Sequence, residues 1–287
     1  MRVEKFNANV SKKLSSLIAE RYPAISYNLI RKLFRNKDVK VNGKRVSDDS
    51  LVSVGDEVCF YVDEKDLEKK VKVVYEDENI VVVFKERNIE TISENGDDLQ
   101  SLISKQINRD CFAVHRLDRN TTGLVVFAKN LQAKSELDMA FKNRTIEKFY
   151  LALVYGVLDK KENKMTAYLK KDSKNVFVIV SDFQKEGYER IQTNYKVLDE
   201  FENFSLVEVE LVTGKTHQIR AHFAHIGHFV IGDEKYGDSK INKMFKTKYQ
   251  NLCSYKMKFH FENGVLNYLN GMTLEIEKSN IDFCQKL

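Results

Sequence analysis

His115-Arg116-Leu117-Asp118-Arg119-Asn120-Thr121-Thr122-Gly123-Leu124-Val125-Val126-Phe127-Ala128-Lys129 sets one carboxylate, Asp118, between two arginines and then runs into an apolar segment. Fixed positive charge beside a carboxyl group favours its charged form. A carboxylate held that way is suited to nucleophilic attack. Thr121-Thr122-Gly123 reads as a turn, and Leu124–Ala128 is short and β-branched enough to be a buried strand. Asp118 is therefore expected on a loop leading into a core strand.

The rest of the chain frames that loop. Its 287 residues, 43% of them hydrophobic, suffice for one large domain and a small one. No apolar run approaches the roughly 20 residues that span a bilayer, and Met1–Asn7 carries no apolar leader core, so a cytoplasmic location without membrane contact is expected. Cys59, Cys111, Cys253 and Cys284 form no Cys-x-x-Cys pair, which predicts reduced structural thiols. The net charge of +5 is unevenly spread: ten basic residues stand against two acids between Lys12 and Arg45, and the remainder is slightly acidic.

That basic stretch falls in a segment, residues 11–62, that reads as a small domain. Leu14, Leu17 and Ile18 have helical spacing, the chain breaks at Tyr22-Pro23, and Ser26 is placed to cap a second helix with Ile30, Leu33 and Phe34 inward. Arg31, Lys32 and Arg35 then share its outer side. Val39–Val41 leads into Asn42-Gly43, a hairpin signal, and Gly55-Asp56 precedes a strand over Glu57–Val62. With Lys40 and Lys44 on the hairpin, the cations are arranged to meet nucleic-acid phosphates.

Residues 63–72 are almost all charged and read as a linker. The second domain, 73–287, is expected to carry strands at Val73–Tyr75, Ile80–Phe84, Phe149–Val154, Phe177–Ser181, Asn194–Val197, Leu206–Val212, Tyr255–Phe261 and Met272–Glu277. Helices are expected at Asp98–Gln106, at Leu131–Lys142 behind an Asn130 cap, and from about Thr216.

Two further motifs carry chemistry. Lys148-Phe149-Tyr150-Leu151-Ala152-Leu153-Val154-Tyr155-Gly156 alternates, with Lys148, Tyr150 and Ala152 on one face of a strand. Thr213-Gly214-Lys215-Thr216-His217-Gln218-Ile219-Arg220-Ala221-His222 is followed by Gly232-Asp233 and Tyr236-Gly237. If Thr216 caps a helix, His217, Arg220 and Ala224 lie on one face, about 100° being turned per residue. His217, His222, His225 and His228 crowd this region, but no cysteine or carboxylate at close spacing completes a ligand set, so no metal is expected.

These motifs resemble the RluA family of pseudouridine synthases, whose signature His-Arg-Leu-Asp-x-x-(Ser/Thr)-(Ser/Thr)-Gly is matched at every position by 115–123, with the 148–156 and 213–222 motifs also in place. Residues 11–62 resemble the small α-L RNA-binding domain named after ribosomal protein S-four. The resemblance implies an α+β enzyme: a catalytic domain on a mixed, largely antiparallel sheet, preceded by that module. It implies Asp118 as the reacting carboxylate, Arg220 as the arginine pairing with it, and Tyr150 packing on the target base as a candidate for proton transfer. Arg116 would fill the space left by an extruded base, at a cost of a few kcal/mol for the extrusion. Lys148, Lys215 and His217 are expected at the RNA, together with Arg31, Lys32, Arg35, Lys40 and Lys44.

No cofactor is implied, because the reaction moves a sugar from nitrogen to carbon 5 of one base without net oxidation or an external reactant. Which of three routes Asp118 takes is left open: attack on the anomeric carbon, addition to the ring, or a glycal route. Structured RNA is the expected partner, with large-subunit ribosomal RNA favoured over transfer RNA and no obligate protein partner evident; a non-catalytic RNA clamp and a metal-dependent hydrolase are the alternatives. Two departures stand out. The family's Asn-Lys-Pro-x-Gly turn is Phe84-Lys85-Glu86-Arg87-Asn88 here, and its Leu-His-Ala is Leu252-Cys253-Ser254.

Overall fold

A computed structural model describes residues 2–22, 25, 27–63, 70–94, 96, 98–172 and 177–287. The chain folds into two compact units, Met1–Val71 with Ser93–Asn108, and Lys72–Ile92 with Arg109–Leu287.

The first unit contains β1 (Arg2–Asn7), β2 (Lys12–Lys13), α1 (Leu14–Arg21), α2 (Tyr27–Arg35), β3 (Val39–Val41), β4 (Lys44–Val46), β5 (Leu51–Val52) and β6 (Glu57–Val62). Leu14, Leu17 and Ile18 of α1 and Ile30, Leu33 and Phe34 of α2 recur every three or four residues and pack with Val39, Val58 and Phe60 of the sheet. That sheet runs β1-β6-β3-β4, so β1, outside the expected bounds, supplies an antiparallel edge strand. Asn42 (φ 48°) and Gly43 (φ 77°) both take positive φ, the type I′ turn that matches strand twist. Ser26, Pro23 and most of the charged 63–72 run lie outside the described residues. Residues 93–108 hold α3 (Leu99–Gln106), capped by Asp98, whose carboxylate accepts from the Ser101 amide at 2.8 Å. The Gln106 amide bonds both backbone groups of Val71, at 2.7 and 3.0 Å, which ties this segment to the first unit although it interrupts the second in sequence.

The second unit contains β7 (Lys72–Glu76), β8 (Ile80–Lys85), β9 (Phe112–Ala113), β10 (Thr122–Ala128), α4 (Leu131–Asn143), β11 (Ile146–Tyr155), β12 (Glu162–Asp172), β13 (Phe177–Ser181), β14 (Glu189–Glu200), β15 (Phe204–Leu211), α5 (Gln218–His225), α6 (Ser239–Met244), β16 (Leu252–Phe259) and β17 (Thr273–Glu275). Its main sheet runs β13-β12-β14-β15-β11-β16-β10-β8-β7, with β17 on β16 and β9 on β10. Among the described residues β10 and β16 form the one parallel pair and all others are antiparallel, as a mixed, largely antiparallel sheet requires. Leu124, Val126, Leu151, Leu153, Cys253, Tyr255 and Leu137 of α4 meet in the core on one face.

Two expectations need correction. Gly123 is not in a turn: it lies within β10 at φ 116°, where a Cβ would collide with the Ser254 carbonyl. The glycine therefore serves the close approach of β10 to β16. Thr216 does not cap α5, which starts at Gln218 behind His217 in a left-handed conformation (φ 53°) with no side-chain cap.

Candidate active site

Asp118 sits on the loop between β9 and β10, as expected, and that loop is tied down three ways. The Val126 amide donates to Nε2 of His115 at 3.0 Å, which fixes that ring as an Nδ1–H tautomer stacked on Phe141 at 4.5 Å. Burial, with the Lys148 ammonium, pushes the His115 pKa down to about 3, in keeping with its acceptor role. Thr91 Oγ1 accepts from the Leu117 amide at 3.2 Å. Lys85, fully buried, donates to the carbonyls of Glu86, Ile89 and Arg119, each at 2.9 Å, while burial pushes its pKa down to about 7. Lys85 belongs to the departing 84–88 segment. The segment keeps its turn because Asn88 takes φ 62°, the left-handed conformation in which asparagine is the usual substitute for glycine.

Arg220 reaches Asp118 from α5: Nη1 donates to Oδ2 at 2.8 Å. Its planar fork is spent elsewhere, on Asp233, with Nε to Oδ2 at 2.6 Å and Nη2 to Oδ1 at 2.9 Å. Asp233 is fully buried and also accepts the amides of Lys235 and Tyr236, so it is an anchor that the sequence pattern contained but did not single out. Burial works against the Arg220 charge, but the two carboxylates outweigh it and raise its pKa. His217 Nε2 lies 3.8 Å from the same Asp118 Oδ2, and Nδ1 lies 2.9 Å from the Tyr236 hydroxyl. Both contacts engage Oδ2; among the described residues no hydrogen bond is made to Oδ1.

Tyr150 and Asp118 line the same cavity, and burial raises the Tyr150 pKa, so the phenol stays protonated. Opposite Tyr150 across the strand pair is the buried Ser254, whose hydroxyl partly offsets the effect of burial on the Tyr150 phenol. Burial pushes the adjacent Cys253 thiol up to about 12, so it is an inert core group.

The cavity measures about 1030 Å³ and is lined by Arg116, Arg119, Arg144, Lys148, Lys171 and Arg190 besides Asp118, Tyr150, His217 and Arg220. Arg116 is exposed at its edge. Lys148 packs over the Phe141 ring at 5.4 Å, and burial lowers its pKa. Lys215 is ion-paired with Glu189 at the rim. His217, expected at the RNA, is engaged by Tyr236 and faces Asp118. In the first unit Arg31, Lys32, Arg35 and Lys44 are exposed, whereas Lys40 is half-buried and donates to the Tyr61 hydroxyl at 3.1 Å. Among the described residues no three His, Cys, Asp or Glu side chains converge on a metal position. His222 bonds Thr193 at 3.0 Å and His225 pairs with Asp182 at 2.9 Å.

An α+β fold that presents a carboxylate–arginine pair in a cationic cavity is suited to chemistry on an anionic substrate. A family model described as RNA pseudouridylate synthase matches residues 65–225. The chain is 30% identical over 260 residues to ribosomal large subunit pseudouridine synthase C of Rickettsia bellii, covering 82% of this chain and 86% of that one. It is 35% identical over 248 residues to a protein of Aquifex aeolicus named as an uncharacterized RNA pseudouridine synthase, covering 78% and 77%. Human RNA Pseudouridylate Synthase Domain Containing 1 shares the fold, with a TM-score of 0.63 at 22% identity over 75% of this chain and 87% of that one. The chain belongs to the RNA pseudouridylate synthase family, in its RluA branch. It is an isomerase that makes pseudouridine in RNA, and no helix among the described residues is long and apolar enough to cross a membrane.

Proposed function

We propose that Asp118 is the reacting carboxylate, that Arg220 positions it, and that Tyr150 packs on the target uracil. One observation carries this reading: Arg220 holds Oδ2 of Asp118 at 2.8 Å while Oδ1 is left without a hydrogen bond beside the cavity. Oδ1 is then the reacting oxygen, as nucleophile in the first two routes or as base in the glycal route. In the overall change the N1–C1′ bond breaks, a C5–C1′ bond forms, C5 loses a proton and N1 gains one. Because its phenol is protonated, Tyr150 takes a proton only by passing its own on. Arg116, exposed at the cavity edge, is free to enter the space left by the extruded base, and Lys148 faces the RNA backbone from β11.

The substrate we infer is large-subunit ribosomal RNA in the cytoplasm, supported by the name of the Rickettsia bellii relative. Residues 11–62 act as an S-four-like module holding that RNA through Arg31, Lys32, Arg35, Lys40 and Lys44, with 63–72 as linker and 73–287 as catalytic domain. Asp118→Asn keeps the shape and removes the nucleophile. It should abolish pseudouridine formation while RNA affinity stays within about threefold, less than the removal of one hydrogen bond would cost. Mapping pseudouridine across ribosomal and transfer RNA from cells with the wild-type gene, the Asp118→Asn gene or none identifies the target. Turnover by the purified variant would refute the assignment of Asp118.

A further inference from the structure

We propose that His217 is a positioning residue for Asp118, its Nε2–H tautomer locked by Tyr236 so that it presents a second donor to Oδ2. This rests on the reading of Asp118 as the reacting group. The tautomer follows from a chain of donors. The Val178 amide donates to the Tyr236 hydroxyl oxygen at 3.0 Å, and that oxygen lies 2.9 Å from His217 Nδ1. With its oxygen already accepting from a backbone amide, the phenol satisfies both groups by giving its one proton to Nδ1. The proton of the ring is then on Nε2, the nitrogen that lies 3.8 Å from Asp118 Oδ2. The opposite assignment would set a nitrogen lone pair against a carboxylate oxygen.

The surroundings hold this arrangement in place. His217 stands in left-handed backbone (φ 53°) immediately before α5. Tyr236 is held by its amide to Asp233 Oδ1 at 3.1 Å, edge-on against Phe177 at 5.5 Å, and under the Arg220 guanidinium at 5.2 Å. Asp233 therefore supports both arms, Arg220 directly and His217 through Tyr236. Burial keeps the His217 pKa below its ordinary value; Arg220 and Lys235 push the same way, and Asp118 and Asp233 oppose them. A neutral donor at this point steadies Oδ2 without adding a second cation that would blunt Oδ1 as a nucleophile. The present 3.8 Å exceeds a hydrogen bond, and catalytic contacts of this kind tighten when reactants fill the site.

Nitrogen-15 NMR of the full-length protein labelled in histidine, with the His217 signals assigned by their disappearance in His217→Asn, should show a protonated Nε2 and a bare Nδ1 at neutral pH. A protonated Nδ1 would overturn the proposal whatever Asp118 does. Single-turnover rates on an RNA containing the target supply the second reading. His217→Gln places its amide near the Nε2 position and should stay within about fivefold of wild type, whereas His217→Asn reaches only the Nδ1 position and should be about 100-fold slower at unchanged RNA affinity. Asparagine tolerates left-handed backbone better than glutamine, so a mere folding defect would rank the two the other way. Equal rates, the reverse ranking, or a fall in affinity in place of a fall in rate would also overturn it. An active Asp118→Asn with the expected tautomer would instead bring down the reading of Asp118.

Discussion

Arg220 joins two carboxylates of different standing, one fully buried, the other half-exposed and proposed as the reacting group. The family resemblance implies that Arg220 pairs with Asp118; the structure gives its fork to Asp233 and a single bond to Asp118. Arg220→Lys should therefore damage two properties at once. The rate should fall sharply, and unfolding free energy should drop by about 1.5–3 kcal/mol, because hydrogen bonds to the charged Asp233 disappear. Thermal melts beside single-turnover rates check both, and a slow but fully stable variant would contradict the Asp233 anchor. His115 makes a pH prediction. Its pKa is about 3 in the fold against an ordinary 6.5, so above 6.5 both states are neutral and its full contribution is present. As pH falls below 6.5 the unfolded chain gains a proton that the fold refuses, and stability is lost until about pH 3, by at most about 1.4 kcal/mol per pH unit. Urea midpoints between pH 7 and 4 should fall less steeply in His115→Gln; His222, with a pKa pushed by burial to about 4, keeps part of the slope.

Among the elements, β10 shows what sequence reading reaches and what it misses. Its apolar run is legible, and so is the loop before it, because burial on both faces leaves an unbroken hydrophobic string. Gly123 misleads, since glycine after two threonines signals a turn locally, whereas here the demand comes from β16 some 130 residues away. Gly123→Ala should cost about 3 kcal/mol, the upper range for overpacking, by forcing β10 off the Ser254 carbonyl; denaturant unfolding measures it, and a wild-type midpoint would refute the close approach. The β12 strand escapes a reading of the sequence for another reason: Met165, Ala167 and Leu169 alternate inward, but that run is only three inward residues long and is flanked on both sides by polar and charged residues. Lys85 and Asp233 escape it because a buried charge is intelligible only once its partners are known: three carbonyls for one, an arginine and two amides for the other.

For the molecule as a whole, the proposed division of labour between a module that holds RNA and a unit that reacts is open to a charge test. Arg31, Lys32 and Arg35 are exposed on α2, so reversing all three to glutamate should leave folding intact while weakening RNA binding. The slope of log affinity against log salt should flatten by about 0.9 for each duplex phosphate that is no longer neutralised, or about 0.7 for a single strand. Single-turnover rates at saturating RNA should hold. An unchanged slope would remove the basic helix from the interface. Reversal is preferable to excision because residues 93–108 belong with the first unit and would be stranded.

The sheet order β11-β16-β10 places a late strand between two early ones. Until residues 252–259 have been synthesised, β10 and β11 have no partner between them, and two hydrophobic strands stand with bare edges toward a gap. A nascent chain halted before Leu252 can neither close its core nor bring Gly123 and Ser254 together. Such an intermediate exposes the kind of edge that recruits other chains. Truncations ending shortly before β16 should therefore accumulate as chaperone-bound or insoluble material, and the ability to modify RNA should appear abruptly, late in synthesis, once the last central strand has been released.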